Sequence, residues 1–454
     1  MRQVCGGGGM NLRSINWVIV CIALAALSGL PTAALADDKE ACAKADVVAC
    51  SRVIASGELN GHDLAVVYYN RGVGYRRQGD LDTAIADNSE AIRFDPRFAA
   101  AFVNRCLAWN HKDDYDRAIA DCSEAIRLDP KLAIAFINRC SAWNNKGDYD
   151  RGITDCSEAI RLDSTFALVA FANRCAAWAH KGDQDRAIAD CNEAIRLDPK
   201  FVLAFVNRCD AWARKDDQDR AITDCTEAIR IDPKLAVAFV NRCSAWNSKG
   251  DYDRGITDCN EAIRLDPKFA LAYSNRGKAY RAKGDVDRAV ADYNEVIRLY
   301  PNNAFAYLDR GLTEFYAGQP AKALADIDRA NELDPKYPRA ALWLDIVAKR
   351  NNLPSRLAEA RKQINMAQWP APVISLYLGR LSPEAVFAAA DDPDPKSKTG
   401  HVCLANFYIG QLALQRGAKD EAARLFRLAA ADCPKTFDEW FAANAELRAL
   451  GVQP

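Results

Sequence analysis

The chain has 454 residues, half of them hydrophobic, and sets 60 Lys and Arg against 61 Asp and Glu for a formal net charge of −1. A balance this close, with no basic run, leaves binding to nucleic acid or to an anionic membrane without electrostatic support. Sixteen cysteines leave disulfide, metal and redox chemistry to be separated by spacing.

Residues 1–36 read as a cleavable secretory signal peptide. Arg2 and Arg13 supply positive charge, Trp17 to Leu30 is apolar, and Ala34-Leu35-Ala36 offers a small-x-small site before Asp37. Met10 is a second candidate start, because the glycine run before it suits neither a signal nor a domain. The apolar run falls short of the roughly 20 residues of a membrane span and ends at Pro31, so cleavage is expected rather than a stable span. Export places the protein in the periplasm or outside the cell. Residues 37–64 are expected to form an N-terminal capping hairpin, closed by Cys42 and Cys50 over Lys44-Ala45-Asp46.

A repeated cassette follows. Read from Ala101, it sets Phe102, Cys106 and Trp109 at spacings of four and three, one face of a helix, before a polar turn at 112–116. A second helix carries Ala118, Ile119, Cys122, Ala125 and Ile126 in one stripe, and Asp129-Pro130 stops it. One such hairpin cannot bury both of its faces, so copies must stack. Five cassettes hold cysteines 16 residues apart: Cys106/Cys122, Cys140/Cys156, Cys175/Cys191, Cys209/Cys225 and Cys243/Cys259. Each has a tryptophan one helical turn after its first cysteine, at 109, 143, 178, 212 and 246.

The slots held by Phe102, Arg105, Cys106, Trp109, Ala118, Cys122 and Pro130 resemble the tetratricopeptide (TPR) repeat. About eight units recur over 65–338, starting near Ala65, Ala99, Ala133, Leu168, Phe201, Ala236, Ala270 and Ala304. The fourth is delayed by one residue, where Ser164-Thr165 replaces Pro-Lys. The resemblance implies an all-α fold, a superhelical solenoid of helix-turn-helix repeats with a C-terminal helical extension. Lys-Asp-Asp recurs at 112–114 and 215–217, and a ten-residue string at 147–156 recurs at 250–259. Both offsets are 103 residues, which points to duplication of a three-unit block.

Fourteen cysteines follow Ala36, and all fall into local pairs, the last being Cys403/Cys433. In an oxidising compartment this reads as a disulfide framework. Packed helices lie about 8–10 Å apart, whereas a disulfide needs Cα atoms about 4.4–6.8 Å apart, so only the closest helix approach serves. By the TPR resemblance, that place is where a glycine of the first helix faces a large side chain of the second. Gly72 with Asn88, Gly277 with Tyr293 and Gly311 with Ile327 are the cysteine-free examples. Small buried thiols are the bland alternative. Metal binding is weaker, since neither C-x15-C nor any CxxC supplies a ligand spacing, and interior thiols do not favour redox catalysis.

The resemblance also implies a concave groove lined by first helices. Asn70, Asn104, Asn138, Asn173, Asn207, Asn241 and Asn275 would point into it, with Asp309 as the eighth member. A side-chain amide there can donate to and accept from a peptide backbone; bracing of the neighbouring helix is the competing reading. The residue before each is mostly apolar (Tyr69, Val103, Ile137, Ala172, Val206, Val240, Ser274, Leu308) and is expected to line the same groove. The adjacent arginine, such as Arg105, is expected to pair with the Asp 16 residues on, Asp121, weakly if exposed. Lysine pairs of the kind that clamp a C-terminal carboxylate in some TPR proteins are missing.

No catalytic constellation emerges. His62, His111, His180 and His401 lie beside no nucleophile motif, no HExxH, GxSxG or Walker loop occurs, and no cofactor is implied. Past Pro335 the period fades. Residues 339–399 read as a helical linker region, with helices at Arg339–Arg350 and Ser355–Ile364 and a flexible loop at 391–399. Residues 400–454 read as a further TPR-like hairpin, pivoting on Gly410, and a capping helix from Asp438 to Leu450. Trp369, Tyr377-Leu378-Gly379, Asn406 to Gly410, Ala422-Ala423, Phe437 and Glu446-Leu447 resemble the C-terminal part of NlpI-type periplasmic TPR lipoproteins. That likeness implies an envelope adaptor that docks proteases or hydrolases, although no lipid-accepting cysteine stands at the cleavage site. The expected function is therefore a non-catalytic periplasmic or secreted scaffold that binds proteins or peptides. The alternative is an envelope-assembly or chaperone-like protein holding unfolded chains or components of polysaccharide machinery.

Overall fold

A computed structural model describes residues 33–453, in two compact units that divide at Lys215/Asp216. The expected signal peptide lies outside the described residues except for its last four, which open the first helix. Among the described residues there are 25 α-helices and no strand.

In the first unit, α1 (Ala33–Ala43) and α2 (Val47–Ser56) form a short hairpin ahead of α3 (Gly61–Gln78) and α4 (Leu81–Phe94). Three further pairs follow: α5 (Ala99–His111) with α6 (Tyr115–Leu128), α7 (Ala133–Lys146) with α8 (Tyr149–Leu162), and α9 (Ala167–Lys181) with α10 (Gln184–Leu197). The unit ends with α11 (Val202–Arg214). First helices pack on one another in series, α3 on α5, α5 on α7, α7 on α9 and α9 on α11.

Local chemistry sets these boundaries. Each second helix opens on an Asp whose carboxylate accepts the third amide of the helix, as Asp114 does from Arg117 and Asp148 from Arg151. Gly147 ends α7 in the left-handed conformation (φ 88°), and Asp113 takes that conformation after α5 (φ 61°), where the chain has no glycine. The extra residue of the fourth unit is absorbed by a 3-10 turn at Ser164–Phe166. The core is thin and small: Ala101, Ala108, Ala118 and Ala125 are wholly buried, so α5 and α6 approach closely, and Phe102 fills the space between pairs.

The second unit repeats this plan with α12 (Gln218–Ile231), α13 (Ala236–Lys249), α14 (Tyr252–Leu265), α15 (Ala270–Ala282), α16 (Val286–Leu299), α17 (Ala304–Tyr316) and α18 (Pro320–Leu333). It continues with α19 (Pro338–Arg350), the short α20 (Leu357–Ala360), α21 (Ala371–Tyr377) and α22 (Pro383–Ala389), then α23 (Pro395–Gln415), α24 (Lys419–Asp432) and α25 (Asp438–Ala449). One large core joins α17 to α25 around Trp343, Phe407, Tyr408 and Phe426.

Three expectations fail here or at the start of the array. The helix expected over Ser355–Ile364 is reduced to the four residues of α20. The expected loop at 391–399 contains the start of α23, which crosses the boundary drawn at 400. Asp394 accepts from the Ser397 amide and Pro395 occupies the first turn, a helix start concealed in a string that looked merely polar. The first helix of the array opens at Gly61 rather than near Ala65. There, a Cβ on Gly74 would stand 2.5 Å from the Ala45 carbonyl oxygen, so only glycine lets the capping hairpin sit against α3.

Candidate partner-binding face

The tight contact inside each hairpin is where the cysteines lie. Cα atoms are 5.6 Å apart for Cys106–Cys122, 5.5 Å for Cys140–Cys156 and Cys175–Cys191, and 5.6 Å for Cys243–Cys259, each pair joined by an S–S bond. Cys42–Cys50 (4.6 Å) and Cys403–Cys433 (5.0 Å) are joined as well, and Cys209 and Cys225 are each disulfide-bonded. Every one of these side chains is buried. At the same place in hairpins that carry no cysteine there, a Cβ on Gly72 would lie 2.6 Å from Asn88, on Gly277 3.0 Å from Tyr293, on Gly311 2.8 Å from Ile327, and on Gly410 2.9 Å from Phe426. The bonded cysteines thus stand where the other hairpins set a glycine against a large residue.

Beside each staple an arginine clamps two hairpins. Arg105 donates through Nε and Nη2 to both carboxylate oxygens of Asp121 at 2.7 Å, and through Nη1 to Ser89 Oγ of the preceding hairpin at 3.0 Å. The fork recurs at Arg71–Asp87, Arg139–Asp155, Arg174–Asp190, Arg242–Asp258, Arg276–Asp292 and Arg310–Asp326. Its third arm reaches Ser51, Ser123, Ser157, Thr226, Asn260 or Asn294. The sequence suggested the Arg105–Asp121 pairing, weak only if exposed. The carboxylates are instead buried (Asp121 8 %, Asp155 5 % exposed), which makes each fork a structural tie. The tryptophans are capped the same way: Arg117 lies over Trp109 at 4.6 Å, Arg151 over Trp143 at 4.3 Å and Arg254 over Trp246 at 4.6 Å.

The asparagine row runs along the mutually packed first helices. Asn104 and Asn138 are buried (5 % and 8 % exposed), as is Asn207, while Asn70, Asn173, Asn241 and Asn275 are half-buried. Asn104 Oδ1 accepts from Arg76 Nε of the preceding first helix at 2.9 Å, and Asn207 Nδ2 donates to the Ala172 carbonyl at 3.0 Å. A second asparagine row, one residue after the tryptophan, was missed. Asn110 donates to the Asn138 carbonyl, Asn144 to that of Asn173 and Asn247 to that of Asn275, each at 3.0 Å. The signal was present as the Trp-Asn dipeptide of three cassettes.

Six of the eight residues that precede the row positions do not line an open groove, while Tyr69 and Ser274 stay half-buried. Val103, Ile137, Ala172, Val206, Val240 and Leu308 are buried between successive pairs, where stacking removes them from water. What the face retains is hydrogen-bonding capacity. The Nδ2 groups of Asn104 and Asn138 are buried without an acceptor. His180 stacks on Tyr149 at 5.2 Å, and burial together with the nearby Arg214 guanidinium holds its imidazole below the ordinary value.

In the second unit the corresponding face is covered. Asp438 at the start of α25 accepts from Arg281 of α15 (2.5 Å) and from Arg339 of α19 (2.8 Å). Burial works against this carboxylate, but Arg339, Arg281 and Lys278 outweigh it and hold its carboxyl well below the usual range. Asp309, the acidic member of the asparagine row, is pushed up by burial despite Lys278 and Arg281.

Among the described residues, no group of three His, Cys, Asp or Glu is placed to hold a metal ion, and no helix is long and apolar enough to cross a membrane. Residues 69–133 and 270–303 match models described as tetratricopeptide repeat, and 244–282 matches one described as TPR repeat. Residues 69–133 and 244–303 carry tetratricopeptide repeats. Such repeats are in general protein-interaction scaffolds. Among solved structures, a tetratricopeptide repeat protein from Parabacteroides merdae is similar over 55% of this chain and 98% of its own, at 18% identity and TM-score 0.45. MamA is similar over 35% of this chain and 93% of its own, at 25% identity and TM-score 0.32. YrrB, a TPR protein described as having an unusual peptide-binding site, is similar over 48% of this chain and 95% of its own, at 17% identity and TM-score 0.29.

Proposed function

We propose that the protein is a non-catalytic scaffold of an oxidising, exported compartment that holds protein segments along the first-helix face of its tetratricopeptide repeats. The observation that carries this reading is the recurrence of asparagine at one place of successive first helices, Asn104 and Asn138 among them, with Asn70, Asn173, Asn241 and Asn275 only half-buried. A side-chain amide that reaches the surface can both donate to and accept from the backbone of a bound segment. Asn70, Asn173, Asn207, Asn241 and Asn275 extend the same row. The cysteine pairs support the compartment, since reducing cytosol does not sustain such bonds. The resemblance of Trp369, Asn406 to Gly410 and Phe437 to NlpI-type lipoproteins, a reading of the sequence alone, is the ground for proposing a cell-envelope adaptor.

Affinity capture from envelope extract with Asn70→Ala and Asn173→Ala combined should recover the wild-type partners at least about tenfold less well, the equivalent of about 1.4 kcal/mol. Undiminished recovery by a variant that melts like wild type would sink the face assignment. The compartment has its own check. Denatured, unreduced protein purified from its native host should show no alkylated thiol by mass spectrometry among the fourteen cysteines after Ala36, and labelled cassette cysteines would place it in a reducing one.

A further inference from the structure

The second unit shows what its own first-helix face accepts, because a helix already lies on it. Asp438 meets Arg281, a residue only 5 % exposed, and lies close enough to Asp309 and Lys278 for their charges to act on it. Phe441 stands 5.5 Å from the Tyr316 ring with the Arg281 guanidinium 4.9 Å over its face. Glu446 accepts from the Tyr316 hydroxyl (3.0 Å) and from Arg350 (2.5 Å). Asp309 is the row position that asparagine holds in earlier repeats, and Tyr316 is the eighth repeat's equivalent of His111. One helix therefore engages the last two repeats through two carboxylates and an aromatic ring at relative positions 0, 3 and 8.

We propose that α25 is a built-in occupant of this face, and that the partner of the second unit is a helix presenting the same acid–aromatic–acid pattern, which binds by displacing it. The attachment of α25 suits that role. The Cys403–Cys433 bond closes the α23–α24 hairpin just before Pro434 and the start of α25, so the hairpin stays joined whether or not the last helix is seated. Toward α15 and α17 the helix makes one ion pair, a hydroxyl bond and one ring contact, which a second helix can reproduce group for group. Its other face buries Ala442, Ala443 and Leu447 in the core and pairs Glu439 with Arg339, and displacement must open that face as well. A tethered occupant also competes at an effective concentration in the millimolar range, so free helices bind weakly until α25 is loosened.

This proposal rests on first-helix faces being binding surfaces, but it is read separately from the asparagine row of the first unit. The probe is a fluorescent peptide of residues 436–452, titrated by anisotropy into the full chain. The full-chain variant Asp438→Asn/Phe441→Ala should bind it at least about tenfold more tightly than wild type does. Adding Arg281→Gln to that variant should abolish the gain, and a peptide carrying the same two α25 substitutions should bind neither protein. No binding to the variant, or binding indifferent to Arg281→Gln, overturns the proposal. So does loss of helix content in the variant, since α25 would then be a keystone rather than an occupant. Hydrogen exchange on the unaltered protein gives an independent reading: α25 amides should open faster than those of α24, and equal protection contradicts displacement.

Discussion

Reduction with excess thiol should lower the melting midpoint of the protein by more than about 10 °C. Each cassette bond spans 16 residues, and closing a loop of that size stabilises by about 3 kcal/mol in the chain-entropy model. In a stacked array each hairpin is stabilised by itself and by its neighbours, so several bonds lost together weaken adjacent interfaces as well. About 1 kcal/mol corresponds to roughly 2–4 °C for bodies of 150–250 residues, which gives the expected shift. Circular dichroism melts with and without reductant measure it. A change under about 3 °C would show that the thiols pack as well unbonded, as the Gly72–Asn88 and Gly311–Ile327 hairpins do without sulfur.

Arg139→Ala is expected to cost about 3–5 kcal/mol, the range for removing one partner of a buried ion pair. Arg139 holds both oxygens of Asp155, which is 5 % exposed, and binds Ser123 of the preceding hairpin. Its loss leaves a carboxylate buried beside the Cys140–Cys156 bond and separates two hairpins at once. Ser123→Ala removes only the third arm and should cost about 0.5–1.5 kcal/mol. Glu158→Ala, which breaks the solvent-exposed pair with Arg161 in the same repeat, should leave stability unchanged. Urea unfolding of the three variants ranks them. Equal effects of Arg139→Ala and Glu158→Ala would mean that the fork is solvated and the tie between hairpins lies elsewhere.

Much of the array was legible because its signals are local and repeat. Spacings of three and four placed Phe102, Cys106 and Trp109 on one face, Asp-Pro marked each stop, and the one-residue delay at Ser164-Thr165 emerges as a 3-10 turn. The same local signals were misread where they occur once. Asp394 and Pro395 begin α23, yet without a repeat to compare they looked like a loop. Leu357 opens a single helical turn where the sequence suggested a helix of ten residues.

Sequence alone determined that this is a helical repeat chain, where its hairpins turn, and which residue of each first helix meets which residue of the second. Those contacts lie within about 16 residues and follow from helix geometry. Tertiary structure alone decided what happens between repeats and at distance. It buried Val103 and Ile137, which the repeat-family resemblance had placed in an open groove, because stacking removes that face from water. It showed that Asn110 holds its neighbour's backbone, and that Asp438 reaches Arg281 across 157 positions. Partners that far apart leave no periodic trace, since charge pairing depends on which surfaces the packed helices bring together.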